Sequence, residues 1–306
     1  MDTPNSTQKK LTLLVLAAGI GSRYGGIKQI DGFGPNGETI MDYSLFDAIR
    51  AGFTKVVFIV REEILEAVKE KFGNKLKGKI EVDYVIQSLD KLIPPQYKNA
   101  ERVKPYGTGH AVLCAREAIN EPFVVINADD FYGKDSFASV AKFFREEKNG
   151  AHAMVGYTLK NVLSEHGSVS RGVGETDSNG FLKSVVERTT IVVENGKIIA
   201  KEKDGDLELS PDAPTSMNFW GFQPSMFQLS SDMFQEFLKK NHQNIKAEFY
   251  IPLIANEMIH TGKGKVKVLG GGNIWFGVTY KEDKEAVSNR IKELIDKGEY
   301  PNKLWS

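Results

Sequence analysis

Residues 11–28 read LTLLVLAAGIGSRYGGIK, an apolar run that passes directly into a glycine-rich segment. The apolar part, residues 11–18, has the length and the aliphatic character of a buried strand. The segment after it contains four glycines and a serine, and the backbone N–H groups that they leave uncovered can form a concave anion site. A strand that opens into such a loop predicts an α/β fold with a phosphate site at the strand's carboxyl end.

Two cationic side chains add positive charge to this loop. Arg23 can bind phosphate oxygens through two parallel hydrogen bonds, and Lys28 supplies a mobile point charge. A dinucleotide-binding fingerprint would need glycine at Tyr24, and a P-loop would need serine or threonine at Gln29. A Rossmann dehydrogenase and a P-loop kinase are therefore disfavoured. A triphosphate site and a flexible glycine turn with solvated charges remain as alternatives.

Short apolar segments alternate with segments of helical period in the first half of the chain. This alternation predicts a doubly wound, mostly parallel, Rossmann-like sheet with helices on both faces. Ligands of such sheets bind beyond the carboxyl ends of the strands. The predicted strands are 11–18, 55–60, 80–86 and 123–127, and the predicted helices are 38–51, 62–71 and 109–118.

Alternating polar and apolar residues in the second half predict antiparallel strands that make the sheet mixed. The pair Asn195-Gly196 predicts a hairpin turn. Residues 201–214 are predicted to form a loop, and residues 270–272 a turn. The predicted strands are 151–159, 172–177, 181–188, 191–200 and 217–222, and the predicted helices are 231–240, 248–259 and 282–297.

The composition excludes several classes of function. Lysine plus arginine and aspartate plus glutamate both number 40 among 306 residues, which gives no support for nucleic acid or an anionic membrane as partner. The apolar stretch 11–20 is too short for a membrane span and lacks a signal peptide's cleavage pattern. The single cysteine, Cys114, fits a reducing compartment. We therefore expect a cytoplasmic globular protein.

A buried strand runs into Asn127-Ala128-Asp129-Asp130. Two adjacent carboxylates are costly to hold together unless a cation or hydrogen-bond donors neutralise them. Magnesium that accompanies a triphosphate meets this need. An aspartate pair that caps the next helix, near Asp135, is the alternative.

Gln87 ends another predicted strand, and Gly107-Thr108-Gly109-His110 opens a helix after the polar insertion 88–106. A glutamine offers both a donor and an acceptor, as the imide edge of uracil or thymine requires. A glutamine bonded to loop backbone is the alternative. His110 is predicted to pack at the helix start rather than to bind a metal, and Cys114 to lie in the core.

The motif Leu-Ala-Ala-Gly-x-Gly-Ser-Arg at 16–23, with a lysine shortly after it, resembles the signature of the sugar-nucleotide pyrophosphorylases. The resemblance extends over about residues 11–287. It implies a Mg²⁺-dependent reaction of a nucleoside triphosphate, with UTP favoured, and a sugar 1-phosphate such as glucose 1-phosphate, which yields a nucleotide sugar and pyrophosphate. It implies that Ala18, Gly19, Gly21, Ser22, Gln87, Gly107 and Thr108 bind the nucleotide, that Arg23 and Lys28 are catalytic, and that Asp129 binds the metal, with Asp130 as the alternative ligand.

Three further segments, 171–173, 186–188 and 217–221, resemble the family's acceptor pocket. A carboxylate and a carboxamide suit vicinal sugar hydroxyls, and a glycine admits the ring. The family has lysine where this chain has Arg188, so the sugar is left open. Without the resemblance, Glu187 and Arg188 would be interpreted as a strand end with a surface ion pair. The residues that the resemblance assigns to the sugar are Gly172, Glu187, Arg188 and Asn218.

One position departs from the family's pattern. A second metal-binding aspartate is expected after Trp275-Phe276, where this chain has Gly277. Either Asp129 and the phosphates suffice, or Asp283 or another acid substitutes, or the activity has been lost. Gly277 motivates one alternative function, a catalytically silent nucleotide-sugar-binding regulatory protein. A transferase for a non-sugar phosphate such as phosphocholine, for which Trp220 and Trp275 could supply aromatic rings, is a second alternative.

We predict a polar or disordered tail at 1–10, a nucleotidyltransferase domain at 11–281, and a C-terminal helix and tail at 282–306. Within the domain, the half at about 11–130 is assigned to the nucleoside triphosphate and the half at about 131–281 to the sugar. The oligomeric state is left open, a homo-oligomer included.

Overall fold

A computed structural model describes residues 9–19, 31–164, 167–278 and 283–305 of the chain. Among the residues assigned to the phosphate loop, Ala18 and Gly19 lie within these ranges. The remaining ones, Gly21, Ser22, Arg23 and Lys28, lie outside the described residues.

The described residues form a mixed sheet of 11 strands, a separate two-stranded sheet, and helices that cover the larger sheet. The strands are β1 (Thr12–Leu16), β2 (Lys55–Val60), β3 (Glu81–Ile86), β4 (Phe123–Asn127), β5 (Asp130–Phe131), β6 (His152–Thr158), β7 (Val169–Thr176), β8 (Leu182–Glu194), β9 (Lys197–Glu202), β10 (Gly205–Leu209), β11 (Pro214–Phe222), β12 (Val266–Gly272) and β13 (Phe276–Gly277). The helices are α1 (Ile40–Ala51), α2 (Leu65–Leu76), α3 (Thr108–Cys114), α4 (Lys134–Glu146), α5 (Met226–Asn241), α6 (Ile251–His260) and α7 (Asp283–Asp296).

Strand β1 lies at the centre of the parallel part of the large sheet. It pairs in parallel with β2 and with β4, and β2 pairs in parallel with β3. Strand β11 joins β4 in antiparallel orientation and continues the sheet toward β7, β8, β9 and β10. Strand β6 also pairs with β11, and β12 pairs with β6. The predicted doubly wound sheet with a parallel centre and antiparallel additions is confirmed.

The core lies on both faces of this sheet. Leu13 and Val15 of β1 pack into one cluster with α1, α2 and α4, whereas Leu14 packs into the other cluster with α3, α5 and α6. Successive side chains of a strand point to opposite faces, so a strand that is buried on both faces needs an unbroken apolar run. This need explains the sequence of β1. In the described part of the chain, no helix combines the length and the apolar character that a membrane span needs.

The hairpin predicted at Asn195-Gly196 is confirmed, and the loop predicted at 201–214 is wrong. Asn195 and Gly196 have φ angles of 51° and 75°, the positive values that a tight hairpin turn requires. Beyond it, β9 continues to Glu202 and β10 occupies Gly205–Leu209. Lys201 pairs with Glu194 at 2.8 Å and with Asp206 at 2.7 Å across the strands. An edge hairpin with solvated, charged faces has the composition of a loop, which is why the sequence pattern failed here.

The turn predicted at 270–272 is also wrong, because these glycines lie in β12. A Cβ atom at Gly272 would lie 2.9 Å from the Gly156 carbonyl oxygen, and one at Gly271 would lie 2.7 Å from the Asp135 carbonyl oxygen. The glycines therefore allow β12 to pack closely against β6 and α4. Close backbone approach, rather than a reversal of the chain, explains Gly271 and Gly272, whereas a Cβ atom at Gly270 would have no atom within 4 Å.

The C-terminal residues pack against α1 and the two-stranded sheet. Phe131 of β5 stacks on Phe276 of β13 with ring centroids 4.4 Å apart, in the same apolar cluster as Tyr300. The Tyr300 hydroxyl donates a hydrogen bond of 2.7 Å to the buried Asp47 carboxylate, which also pairs with Arg50 at 2.5 Å. A buried carboxylate depends on such partners.

We expect Tyr300→Phe to lower the free energy of unfolding by about 1–3 kcal/mol, because it removes a hydrogen bond to the buried Asp47 carboxyl group. Urea unfolding at neutral pH measures the loss. Tyr84→Phe is the matched control, since the half-exposed Tyr84 ring serves only to pack against its neighbours. This substitution should change the free energy of unfolding by less than about 0.5 kcal/mol. Equal losses in the two variants would contradict an anchoring role for the Tyr300 hydroxyl.

Candidate active site

The carboxyl ends of β1 and β4 lie side by side. Their parallel register sets Leu16 opposite Asn127, and the Ala128 amide donates a hydrogen bond of 3.2 Å to the Leu16 carbonyl. The chain therefore leaves β1 after Leu16 and β4 after Asn127 at the same edge of the sheet. Ala18 is buried, whereas Gly19 is exposed and begins the glycine-rich loop. The two segments to which the sequence assigned phosphate and metal thus emerge from one edge of the sheet.

Asp130 is held by polar groups at this edge. The Asn127 side-chain amide donates a hydrogen bond of 2.9 Å to Asp130 Oδ2, and the Tyr132 hydroxyl lies 3.2 Å from the same oxygen. Asp130 is 9% exposed, and Asp129 is more accessible. Helix α4 has Gly133 as its N-cap, without a capping side chain. The alternative in which the aspartate pair caps this helix is therefore not supported.

Strand β13 brings Gly277 directly opposite Asp130. A Cβ atom at Gly277 would lie 2.5 Å from Asp130 Oδ1 and 3.1 Å from the Trp275 ring. The Asp130 carboxylate thus occupies the space that an acidic side chain at position 277 would need. The sequence showed that glycine replaces the expected acid at position 277. Only the pairing of β13 with β5 shows that Asp130 fills the space of that acid.

Arg171 is close enough to Asp130 and Glu187 for the charges of both acids to act on it. It belongs to the segment 171–173, which the sequence indicated, but no role was assigned to it there. Its guanidinium donates hydrogen bonds of 3.0 and 2.8 Å to the Val162 carbonyl and lies 5.1 Å from the centroid of the Trp275 ring. Burial lowers its pKa, and the charges of Asp130 and Glu187 oppose this shift. Arg171 adjoins Gly172 in sequence, which is the only signal that could have indicated it.

Glu187 lies opposite Gly172 in the pairing of β7 with β8. Partial burial raises the pKa of Glu187, while a hydrogen bond of 2.7 Å from the Ser170 hydroxyl and the charge of Arg171 act against this rise. A Cβ atom at Gly172 would lie 3.5 Å from Glu187 Oε2, so the glycine leaves room beside the carboxylate. Glu187 and Gly172 therefore lie together, as the assignment to one pocket requires.

Arg188 has a different partner from Glu187. Its guanidinium pairs with Glu202 of β9 at 3.1 Å. Without the family resemblance, Glu187 and Arg188 were interpreted as a strand end with a surface ion pair. Arg188 does form such a pair, but with Glu202. Arg188 is thus engaged on the β8–β9 hairpin, and its assignment to the sugar stays a prediction.

Asn218 lies in a bulge of β11 and has a φ angle of 60°, which is unusual for a residue other than glycine. Its side-chain amide is 3.4 Å from the Asn127 side-chain oxygen. Asn127 therefore contacts both Asp130 and Asn218. Strained backbone of this kind is common at ligand sites, and it directs Asn218 toward the end of β4.

The base-side glycines pack tightly against the start of α6. Gly107 has a φ angle of 97°, and a Cβ atom there would lie 2.7 Å from the Phe249 carbonyl oxygen. The Gly109 amide donates to the same carbonyl at 2.8 Å, and the Thr108 hydroxyl accepts from the Ile251 amide at 3.2 Å. Gly107 and Thr108 thus have structural roles that the sequence analysis did not anticipate.

Tyr250 precedes α6 and follows Phe249, whose carbonyl group meets Gly107. Its hydroxyl donates a hydrogen bond of 2.7 Å to Glu248, which also pairs with Lys104 at 2.6 Å. Burial raises the pKa of Tyr250, and the negative charges of Glu248 and Glu187 raise it further. Tyr250 is therefore near both Gly107 and Glu187. The sequence analysis missed it, because a tyrosine before a helix carries no distinctive signal.

The described residues contain no cluster of three or more histidine, cysteine, aspartate or glutamate side chains that could hold a metal ion. His110 is buried, as predicted, and burial lowers its pKa to about 4. Cys114 is buried too, and burial raises the pKa of its thiol to about 12. The Cys114 thiol therefore stays protonated near neutral pH, which makes it a poor nucleophile.

Comparison with known proteins identifies the class. The family model of the nucleotidyl transferases matches residues 14–278, so the chain belongs to this family. The assignment from the sequence to a nucleotidyltransferase of the sugar-nucleotide pyrophosphorylase type is confirmed. No sequence among curated proteins matches the chain significantly.

Three solved structures are similar in fold. A UDP-glucose pyrophosphorylase complexed with UDP-glucose is 17% identical, with a TM-score of 0.62, and the match covers 93% of this chain and 99% of that one. An inositol-1-phosphate CTP transferase from T. maritima is 15% identical, with a TM-score of 0.57 and coverage of 94% and 97%. A protein from Bacillus anthracis assigned as a glucose-1-phosphate thymidylyltransferase, in complex with a sucrose, is 14% identical, with a TM-score of 0.60 and coverage of 92% and 96%.

We expect Gly107→Ala to lower the free energy of unfolding by about 2 kcal/mol or more, because the new methyl group would meet the Phe249 carbonyl and the backbone would keep a positive φ. Gly78→Ala is the matched control, since Gly78 has a φ of 75° and no atom within 4 Å of the added methyl. It should lose only about 1 kcal/mol from the backbone strain. Urea unfolding of both variants measures the difference, and equal losses would contradict the close packing.

Proposed function

We propose that the protein transfers the UMP group of UTP to a sugar 1-phosphate and releases pyrophosphate. The observation that supports the proposal is the parallel register that sets Leu16 opposite Asn127, so that the segments containing Gly19 and Asp129 follow strands that end at one edge of the sheet. A metal-bound triphosphate needs N–H donors for its oxygens and carboxylates for its cation, and a glycine-rich loop beside two aspartates supplies both.

Asp129 and Asp130 are the residues that we propose to hold Mg²⁺. Mg²⁺ prefers oxygen ligands and is commonly bound by one or two carboxylates together with phosphate oxygens and water. The donor set fits, because Asp130 fills the space beside Gly277 and Asn127 orients its carboxylate. When bound, the cation offsets negative charge on the phosphates and on the leaving pyrophosphate.

The reaction that we propose forms a bond between a sugar-phosphate oxygen and the α-phosphorus. The bond from the α-phosphorus to the oxygen that bridges it to the β-phosphate breaks, and pyrophosphate leaves with that oxygen. Because the attacking oxygen is already an anion, no strong general base is needed. The chain's task is to align two polyanions and reduce their repulsion, for which we propose Arg23, Lys28 and the N–H groups of Gly19, Gly21 and Ser22.

The sugar is proposed to bind beside Glu187 and Asn218. The Glu187 carboxylate and the Asn218 carboxamide can each bond to hydroxyl groups, and Gly172 leaves room for the ring. Arg171, on which the charges of Glu187 and Asp130 both act, can offset charge on the acceptor phosphate. Arg188 is also assigned to the sugar in this proposal, and it forms an ion pair with Glu202.

The division of labour along the chain is also part of this proposal. We assign about 11–130 to the nucleoside triphosphate and about 131–281 to the sugar. Gln87, Gly107 and Thr108 are assigned to the base side, together with Ala18 at the start of the phosphate loop. A cytoplasmic location fits the single cysteine, Cys114.

A panel of substrates tests the reaction. UTP, dTTP, CTP, ATP and GTP are each paired with glucose 1-phosphate, N-acetylglucosamine 1-phosphate, inositol 1-phosphate and phosphocholine in the presence of Mg²⁺, and pyrophosphate release is followed. We expect UTP with a sugar 1-phosphate to give the highest kcat/KM. A preference for CTP or for phosphocholine would contradict the proposed specificity. Tight UTP binding without pyrophosphate release from any pair would indicate a regulatory protein.

An exchange of carboxylates between paired strands tests the metal site. We expect Asp130→Ala to weaken Mn²⁺ binding in the presence of UTP by about tenfold or more, because a charged ligand is lost. Gly277→Asp alone should lower stability, because its side chain meets Asp130. The double variant Gly277→Asp/Asp130→Ala should bind Mn²⁺ better than Asp130→Ala does. Electron paramagnetic resonance of free Mn²⁺ measures binding.

Asp135→Ala is the control for this exchange, since Asp135 is exposed in the first turn of α4. It should bind Mn²⁺ like the unmodified protein. If the double variant binds Mn²⁺ no better than Asp130→Ala, the carboxylate at 130 does not take the place of an acid at 277.

A further inference from the structure

The side chain of Gln87 contacts a buried histidine rather than loop backbone. Gln87 follows β3 and is 7% exposed, and its Nε2 lies 3.2 Å from Nδ1 of His110. On the other side of the ring, Nε2 of His110 lies 2.8 Å from the Lys91 carbonyl oxygen. The imidazole ring thus connects Gln87 to the insertion at 88–106.

These two contacts define the tautomer of His110. A carbonyl oxygen can only accept, so the ring nitrogen next to Lys91 must carry the proton. Burial lowers the pKa of His110 to about 4, and the positive charges of Lys91 and Arg102 also lower it, so the ring is neutral near pH 7. Nδ1 therefore has a lone pair and accepts a hydrogen bond from Gln87.

The tautomer in turn defines the orientation of the Gln87 carboxamide. One N–H of the amide points to His110, and the amide oxygen points away from it. A flipped amide would set its oxygen against the lone pair of Nδ1, which loses a hydrogen bond and adds repulsion. A glutamine that can flip its amide could match a base edge with either arrangement of donor and acceptor. Gln87 is restricted to one of these arrangements.

We propose that His110 is a positioning residue for base selection, which holds Gln87 so that it presents a carbonyl oxygen to the imide N–H of uracil or thymine. The second N–H of the same amide then faces the O4 oxygen of that base. Cytosine has an acceptor at N3 and an amino group at C4, so it would meet the amide with both polarities reversed. This inference rests on the proposed function, in which Gln87 contacts the base.

The surroundings of His110 keep the ring in place. The ring stacks on Phe234 of α5 with centroids 4.9 Å apart, and the Tyr106 ring meets its edge at 5.5 Å. Cys114, one turn later in α3, lies 3.6 Å from its Nε2. Arg102 donates hydrogen bonds to the Lys104, Pro105, Asn244 and Ala247 carbonyls and so fixes the insertion that contributes Lys91. Packing thus removes the freedom of the ring to rotate.

The test compares UTP and CTP binding to His110→Phe, Gln87→Ala and the double variant. Equilibrium dissociation constants are measured by calorimetry with Mg²⁺. A phenyl ring can retain the stacking on Phe234 but cannot accept the hydrogen bond from Gln87. We expect His110→Phe to reduce the preference for UTP over CTP on the order of tenfold, which corresponds to about one hydrogen bond. We expect no further reduction when His110→Phe is added to Gln87→Ala.

His152→Phe is the matched control, since His152 is also a buried histidine. Its Nδ1 accepts a hydrogen bond of 3.2 Å from the backbone amide of Gln223. This substitution should leave the UTP to CTP ratio unchanged at a similar cost in stability. His110→Asn retains an acceptor near the position of Nδ1, and we expect it to preserve more of the preference than His110→Phe. If His110 had only a structural role, its substitution would weaken the binding of UTP and of CTP equally.

The outcomes separate this inference from the proposed function. If Gln87→Ala leaves the UTP to CTP ratio unchanged, the base-side assignment of Gln87 fails. If Gln87→Ala changes the ratio and a folded His110→Phe does not, the positioning role of His110 is wrong while the proposed reaction survives. Nitrogen NMR of histidine-labelled protein tests the inference without any variant: a proton on Nδ1 of His110 would overturn it, and a proton on Nε2 supports it.

Discussion

The parallel pairing of β1 with β4 is the contact on which the rest of the structure depends. Its register sets Leu16 opposite Asn127, so the glycine loop and the acidic segment leave the sheet at one edge. Both strands are buried on both faces, and a slip of one residue would turn every side chain of the slipped strand to the wrong face. Apolar packing therefore determines where polar ligands can be bound, although the apolar side chains themselves take no part in the chemistry.

Asn127 connects the parallel centre of the sheet to its antiparallel extension. Its amide donates to Asp130, and its oxygen lies near the amide of Asn218 in the bulge of β11. The Tyr132 hydroxyl, which lies beside Asp130, is 2.8 Å from the Met217 carbonyl in the same bulge. A residue with positive φ persists only where its surroundings determine it, and these contacts provide that constraint for Asn218. The polar network thus joins the proposed metal side to the proposed sugar side.

The base side is organised differently, by an insertion that contributes one carbonyl group. The segment 88–106 brings the Lys91 carbonyl to His110 and is itself held by Arg102. A buried neutral histidine between an amide and a carbonyl can bond in only one tautomer. An irregular segment, which sequence patterns describe poorly, can therefore define the polarity of a neighbouring side chain. Specificity of this kind arises from the arrangement of donors and acceptors rather than from pocket size.

The sequence by itself determined the parallel centre of the sheet, the order of its strands and helices, and the family, because unbroken apolar strands and the glycine-rich motif are local signals. It also indicated Asp129, Gln87 and Glu187, since each ends or lines a recognisable strand. Only the tertiary structure decided that Asp130 occupies the space beside Gly277, that the charges of Asp130 and Glu187 both act on Arg171, and that His110 contacts Gln87. Each of these facts depends on residues distant in sequence that pair across strands or pack between elements. The charged hairpin of β9 and β10 and the glycines of β12 escaped prediction for the same reason: their roles are set by neighbouring strands, which local composition does not encode.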